Sequence, residues 1–268
     1  QYIKRGVKKS AIEGCESHKS QRFECKACST RFYVPLNPQL GQKDSSVNAV
    51  LFRALTNKGI INRLEEVFNV SSALIYDRIR FFYNQCVQFD QWHTAKNINC
   101  LNGKTLEVSM DRQHYLANWN DKHDSRPTKL VNTSSVDNKT RFVFASTLNF
   151  DVTSDWESIK KDFRKRKDIE KPIHKRRYAQ YVISDADVEP DDVGDALALK
   201  TPNKHLLVQQ TYSLMAHLES MKVYYNAARK VNLFADDDEG FELGICLVLK
   251  ELLMQDKLYP VLIRAERN

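Results

Sequence analysis

Apolar and polar positions along this chain follow two different periods, and the change falls near residue 103. Residues 43–92 repeat at helical spacing. Ile60, Ile61, Leu64, Val67 and Phe68 share one face; after Asn69-Val70-Ser71, a second set of Leu74, Ile75, Ile79, Phe82 and Tyr83 points inward. Ser71 or Ser72 is placed to cap that second helix. From 104 the apolar runs shorten to strand length: 104–110, 129–137 and 140–150, with Asn138-Lys139 suited to a tight hairpin turn. Residues 205–228 then read as a helix with Leu206, Leu207, Leu214, Leu218, Met221 and Val223 broadly on one side. Val231–Ala235 reads as a strand, 239–256 as a second apolar-faced helix, and Leu258–Ile263 as a last strand interrupted by Pro260. Residues 152–203 hold neither period and are expected to be irregular. Pro35-Leu36-Asn37-Pro38 closes a start rich in Cys, Lys and aromatics. The expected organisation is 1–40, 41–95 and 103–268, with a polar joint at Asn97–Gly103 and 152–203 as an insert in the last part.

The order after the joint is strand, hairpin, insert, helix, strand. That is the order of an RNase H-like sheet, in which the first and fourth strands are neighbours. The expected fold class is therefore α/β (α+β), with a mixed sheet flanked by helices. It makes two acids prominent. Asp111 closes the run Leu106-Glu107-Val108-Ser109-Met110, and Asp236 ends Val231-Asn232-Leu233-Phe234-Ala235. Carboxylates at adjoining strand ends can hold one or two Mg²⁺ or Mn²⁺, hard cations that take oxygen ligands. Two such ions ~3.5–4 Å apart activate an attacking oxygen and stabilise the leaving one at phosphorus. A plainer reading stands beside this one. Asp111 is then an ordinary strand-end residue, and Asp236-Asp237-Asp238-Glu239 is a helix N-terminus, where acids favour the macrodipole. A calcium loop is excluded: with Gly240 sixth, Ala235 would stand first, where a carboxylate is required. Asp137 reads as a hairpin residue and Asp151 as a helix cap or a support for metal ligands. His114 and Trp119, close after Asp111, read as local packing or as stacking groups for substrate DNA.

The cysteines change the picture of the start. Of six, Cys86, Cys100 and Cys246 are scattered in apolar contexts and are most simply small buried hydrophobes. The other three form Cys15-x2-His18 and Cys25-x2-Cys28, two tight pairs whose side chains can reach one tetrahedral zinc. About 35 residues cannot bury an adequate core alone, so a metal crosslink is physically required there. The alternative is reduced, unbound thiols in a frayed terminus. Four protein ligands leave no open position, so the expected zinc is structural.

The formal charge is +7, and segment 160–178 supplies ten basic against three acidic residues, an excess equal to that of the whole chain. Such a cluster, including Lys165 and Arg166, suits contact with a polyanion, or is a solvated mobile surface loop. On the second of the paired helices, Ser72, Tyr76, Arg78 and Arg80 form the face opposite the apolar one. Such a face can enter a major groove; the alternative is a helical linker or dimerisation element. No apolar run approaches the ~20 residues needed to cross a membrane. The first residues lack the apolar core of a signal peptide and an initiator Met, as expected of a cytoplasmic fragment or processed chain.

With these residues in view, the chain resembles bacterial insertion-sequence transposases of the acidic-triad type. The stretches concerned are Val108-Ser109-Met110-Asp111-Arg112-Gln113 with Trp119, Ser134-Ser135-Val136-Asp137 with Asn149-Phe150-Asp151, and Phe234-Ala235-Asp236-Asp237-Asp238-Glu239-Gly240. Phe23-Glu24-Cys25-Lys26-Ala27-Cys28 with Phe32 is similar to the second knuckle of their zinc ribbons. The resemblance covers most of the chain except 152–203, and it rests on the order of parts. It implies a zinc ribbon held by Cys15, His18, Cys25 and Cys28, a helix-turn-helix, and an RNase H-like core. In that core Asp111 and Asp236 are the first and second metal-binding acids. It implies Mg²⁺- or Mn²⁺-dependent cleavage by water, strand transfer by a freed 3′ hydroxyl, and an oligomer on DNA. The family usually has Cys where His18 stands. The family's third acid lies on a helix after the last strand, and Glu266 is the only late acid here. The resemblance thus implies a core truncated before that acid, weakly active or inactive. Two rivals remain. One is a non-enzymatic zinc-ribbon and helix-turn-helix DNA-binding protein or regulator; the other is a metal-dependent nuclease that cuts without joining.

Overall fold

The computed structural model describes residues 2–10, 18–35, 37, 39, 42, 44–119, 123–188, 198–237 and 240–264. The chain divides into two compact units, residues 1–90 and 91–268.

The first unit opens with an antiparallel sheet of β1 (Tyr2–Ser10), β2 (His18–Cys25) and β3 (Arg31–Pro35) in that order. Phe23 stacks on Phe32 across the β2–β3 pair, at 5.6 Å between ring centroids, and Tyr2 meets Phe32 edge-on at 5.2 Å. Three helices follow: α1 (Asn48–Thr56), α2 (Ile61–Phe68) and α3 (Ser72–Leu101). Leu51, Leu64 and Ile75, one from each helix, are buried together. Asn69 takes the left-handed conformation that ends α2 (φ 48°), and Ser71 Oγ accepts the Leu74 N–H at 3.3 Å to start α3.

The inward face is narrower than the apolar pattern suggests. Ile60, Val67 and Tyr83 are exposed, Val67 by 72%. α3 also continues to Leu101, through most of the expected polar joint; only Asn102 and Gly103 (φ 75°) break it. Its last turns hold Ile98 and Leu101 against the core of the second unit, and this packing sustains the helix.

Arg78 departs from the expected outward face. It is buried, and its Nη2 donates to the Asp44 carbonyl oxygen at 2.7 Å. Arg78→Ala leaves that carbonyl unpaired, so we expect a loss of about 1–3 kcal/mol in urea unfolding. Arg80→Ala, a surface change, should stay within about 0.5 kcal/mol. Equal losses would contradict the placement of Arg78.

The second unit is built on a five-stranded sheet in the order β11-β10-β4-β5-β6. The strands are β4 (Thr105–Ala117), β5 (Thr128–Asp137), β6 (Val143–Leu148), β10 (Lys230–Asp236) and β11 (Leu258–Ile263). β4, β5 and β6 form an antiparallel meander, whereas β10 lies parallel to both β4 and β11. Pro260 is tolerated because β11 is an edge strand. Leu106, Val108 and Met110 of β4 and Val231, Leu233 and Ala235 of β10 turn one face of the sheet to α5 (Gln210–Ala227) and α6 (Phe241–Val248). Full burial of each such side chain contributes about 1.5–3 kcal/mol. The two helices approach closely at Gly244, where a Cβ would stand 3.1 Å from Leu214 Cδ2 and 3.3 Å from Leu218 Cδ1. α7 (Lys250–Met254) follows α6 after a break at Leu249, where one continuous helix was expected.

Three expectations are corrected here. Cys86, Cys100 and Cys246, expected to be buried, are all exposed, because each falls on a helix position turned from the core. Leu206 and Leu207 lie in a strand, β9 (Leu206–Val208), before α5 begins. β9 joins β7 (Phe150–Asp151) and β8 (Tyr181–Val182) in a small antiparallel sheet of order β7-β9-β8. The region 152–203 is therefore not irregular throughout. It also holds α4 (Trp156–Lys165), capped by the Asp155 carboxylate accepting from Ser158 N. Its helical period shows only in Ile159 and the buried Phe163, because charged residues fill the remaining positions.

Candidate active site

Asp111 and Asp236 come from the two parallel central strands. The register pairs Val231 with Leu106, Leu233 with Val108 and Ala235 with Met110. One further step aligns Asp236 with Asp111. Buried residues alternate with these acids along both strands, so both acids lie on the sheet face away from α5 and α6, and both are exposed. Neighbouring strands are about 4.8 Å apart, so carboxylates at matched register are within reach of a shared cation.

Asp111 is not at a strand end as expected. β4 continues to Ala117, paired with β5 through Ala117–Thr128. What ends at Met110 is the pairing with β10, and Asp111 stands at that fork. Its Oδ1 accepts the backbone N–H of Arg112 at 2.7 Å. Arg112 turns to the opposite face, 4.8 Å above the Phe241 ring.

The row continues across the sheet. Asp111 pairs with Ser134 of β5, which pairs with Ser146 of β6, and the two hydroxyl oxygens are 3.2 Å apart. On the other side Asp236 pairs with Ile263 of β11. The row is therefore two carboxylates flanked by two hydroxyls. Sequence reasoning did not single out the serines, although the polar stretch Asn132-Thr133-Ser134-Ser135 inside a strand marked them. Asp237 is engaged elsewhere, in an ion pair with Arg264 at 2.6 Å. Asp238, Glu239 and Glu266 lie outside the described residues. Carboxylates are hard oxygen donors of the kind Mg²⁺ or Mn²⁺ takes, while no group of three or more metal-ligating side chains stands together among the described residues.

The other acids have settled roles. Asp137 accepts the Thr140 N–H at 2.8 Å within the β5–β6 hairpin. Asp151 lies at the end of β7, with Ser154 Oγ at 2.5 Å, Thr153 N at 2.8 Å and Tyr181 OH at 2.8 Å. Burial pushes its carboxyl up, but these hydrogen bonds override the effect and hold it well below the ordinary range. It fastens the small sheet and caps no helix; Asp155 does that. Trp119 packs, as one of its two expected roles had it. It stacks on Phe150 at 5.3 Å and donates to Thr128 Oγ1 at 2.8 Å. His114 lies on β4, paired with Val131 of β5, and its side chain is exposed.

For the expected zinc ligands, Cys15 and the side chain of His18 lie outside the described residues. Cys25 and Cys28 sit on the turn between β2 and β3, where Cys25 N donates to the Thr30 carbonyl at 2.9 Å and Ser29 adopts φ 56°. Hydrogen bonding with Thr30, 3.2 Å away, and then with Cys25 holds the Cys28 thiol below its ordinary value. Two adjacent thiols on a tight turn, one of them eased toward thiolate, fit a soft metal such as zinc.

Of the expected DNA contacts, Ser72, Tyr76 and Arg80 follow one another at helical spacing on α3 and are exposed, Tyr76 by 56%. Arg80 leans toward Asp77 at 3.8 Å. Lys165 is exposed in the last turn of α4, and Arg166, just after it, pairs with Asp162 at 2.8 Å. The basic segment holds α4 and two short 3-10 turns, and several of its cations are paired. Arg176 meets Asp187 at 2.6 Å, both nearly buried, and Lys171 meets Asp168 at 2.6 Å.

The fold and site define a mixed α/β protein with paired carboxylates on adjacent parallel strands. No protein-family model and no curated protein matches the chain. No helix among the described residues is long and apolar enough to cross a membrane.

Proposed function

We propose that this chain is a DNA transposase, a polynucleotidyl transferase whose 103–268 part is an RNase H-like core. The observation that carries the reading is the parallel pairing of β4 with β10, which aligns Asp111 and Asp236 on one face. The sheet order β11-β10-β4-β5-β6 supports it, because an antiparallel meander extended by two parallel strands is the arrangement expected of that core. Asp111 and Asp236 would hold the divalent ion, and Ser134 offers a neutral hydroxyl on the same row of the sheet. When bound, the metal supplies charge stabilisation at phosphorus. The chain provides no covalent nucleophile in this scheme. The exposed face of α3 with Ser72, Tyr76 and Arg80, and the cations Lys165 and Arg166, bind the DNA backbone and bases. The protein acts on paired DNA ends as an oligomer.

The test is nicking of supercoiled DNA and transfer of a 3′-hydroxyl oligonucleotide in Mg²⁺ and Mn²⁺. Nicking with transfer is expected. Salt-sensitive binding without nicking would leave a DNA-binding regulator, and nicking without transfer a nuclease.

The ribbon is proposed to hold one structural zinc through Cys15, His18, Cys25 and Cys28. Elemental analysis should give one zinc per chain, and Cys28→Ser should lose it. Chelation should unfold residues 1–40 while the far-ultraviolet signal of the rest persists. A zinc-free protein of unchanged stability would refute this assignment.

A further inference from the structure

At the start of β4, near Thr105, the sheet forms a cleft of about 640 Å³ within the second unit. Six strand residues separate Thr105 from Asp111, about 20 Å at ~3.3 Å per residue, so this is not the carboxylate site. The cleft's floor is apolar: Leu106 and Phe144 are 4% and 7% exposed, and Phe142 meets Phe144 edge-on at 5.6 Å. Its mouth is cationic, with Lys104, Lys139 and Arg141 all exposed.

Two features hold these groups in place. The hairpin is fixed by Arg141 N donating to the Asp137 carbonyl at 2.8 Å and Asp137 N donating to the Phe142 carbonyl at 2.8 Å, with Arg141 at φ 64°. The far wall, the end of α3, is fastened where Thr94 Oγ1 meets Tyr224 OH at 3.1 Å. Asp137 also lines the cleft, but its Oδ2 is taken by Thr140 N and Oγ1 at 2.8 and 2.5 Å. Lys139 leans toward Glu107 at 3.6 Å, a loose surface pair that a stronger anion can displace.

We propose that this cleft binds a small amphipathic anion, with a flat apolar body against Phe142, Phe144 and Leu106 and one carboxylate, sulfonate or phosphate at Lys139 and Arg141. A volume in the range of small-molecule sites, apolar depth and a few convergent polar groups are what such ligands require.

The probe is 1-anilinonaphthalene-8-sulfonate on the folded full chain. Saturable binding of one dye per chain is expected, weakened at least tenfold in Arg141→Glu and Lys139→Glu and unchanged in Asp111→Asn. Naphthalene-1-sulfonate should compete with the dye. It should also slow alkylation of Cys100, an exposed thiol on the cleft wall, as read by peptide mapping. Thermal midpoints within ~2 °C of the parent show that the charge reversals leave the fold intact. Non-saturable binding, or the parental affinity in both variants, overturns the proposal. So does competition by a 20-base-pair duplex without competition by the free sulfonate. None of these outcomes depends on DNA cleavage, so failure here and failure of the transposase reading are distinguishable.

Discussion

Asp111→Asn and Asp236→Asn are each expected to lower metal-dependent DNA nicking about a thousandfold, equivalent to ~4 kcal/mol of transition-state stabilisation at 1.36 kcal/mol per tenfold. The physical reason is the register of β4 and β10. In the proposed site each acid would supply one of two anionic oxygen donors to a cation that neither would hold well alone. Both side chains are exposed and Asn is isosteric, so stability should shift by no more than about 0.5 kcal/mol, and DNA affinity should stay within twofold. Asp237→Asn is the control. Asp237 is paired with Arg264, and its loss should cost less than tenfold. Nicking by both Asn variants at the parental rate would remove Asp111 and Asp236 from the chemistry. Equal losses at positions 236 and 237 would shift the site off the β4–β10 pair.

The second large effect concerns stability against acid. His217 on α5 is fully buried beneath the sheet, with Nε2 2.7 Å from Ser135 Oγ and Nδ1 3.0 Å from Thr147 Oγ1. Hydroxyls satisfy either neutral tautomer, but burial disfavours the imidazolium and lowers the pKa to about 4. The folded-state value lies below the unfolded one of ~6.5. The native state therefore binds this proton more weakly than the unfolded chain. The contribution is intact above pH ~6.5 and is lost as pH falls through the window down to ~4, by about 3 kcal/mol.

The depressed carboxylates Asp124, lowered to about 2 chiefly by its hydrogen bonds from Arg126, and Asp151 act in the same direction. Their contributions persist down to the ordinary carboxylate range near pH 4 and are lost only below it, so the window above belongs to His217. Urea unfolding between pH 7 and 4 should show the slope in the parent and a flatter one in His217→Gln. Parallel profiles would mean that another group titrates.

What the chain disclosed in advance differed by element, for physical reasons. β10 and β11 were legible because each is a short, mainly apolar run bounded by charged residues. The Asn69–Ser71 turn was legible because a left-handed residue and a serine cap are local chemistry. β9 was not. Leu206 and Leu207 fit a helical face as well as a strand, and only pairing with β7 and β8 separates the two. Arg78 was misplaced because helical spacing gives an angle around the axis and says nothing of what meets it; the Asp44 carbonyl lies outside the helix. The length of β4 was missed because beyond Met110 its side chains are largely exposed, and only pairing with β5 extends the strand.

The sequence by itself determined which side chains are candidates for chemistry: the acids at 111 and 236, the paired thiols at 25 and 28, and the density of cations in 160–178. These follow from residue identity and local spacing, which need no partner. The tertiary structure alone decided which of them meet. Parallel pairing across more than a hundred residues of chain put Asp236 and Asp111 on neighbouring strands, each one step past the last paired residues. The same packing buried His217 and Arg78, closed basic side chains into ion pairs, and opened an apolar cleft at the far end of the sheet. Such contacts depend on register and on which faces pack together, and neither is encoded within any single window of residues.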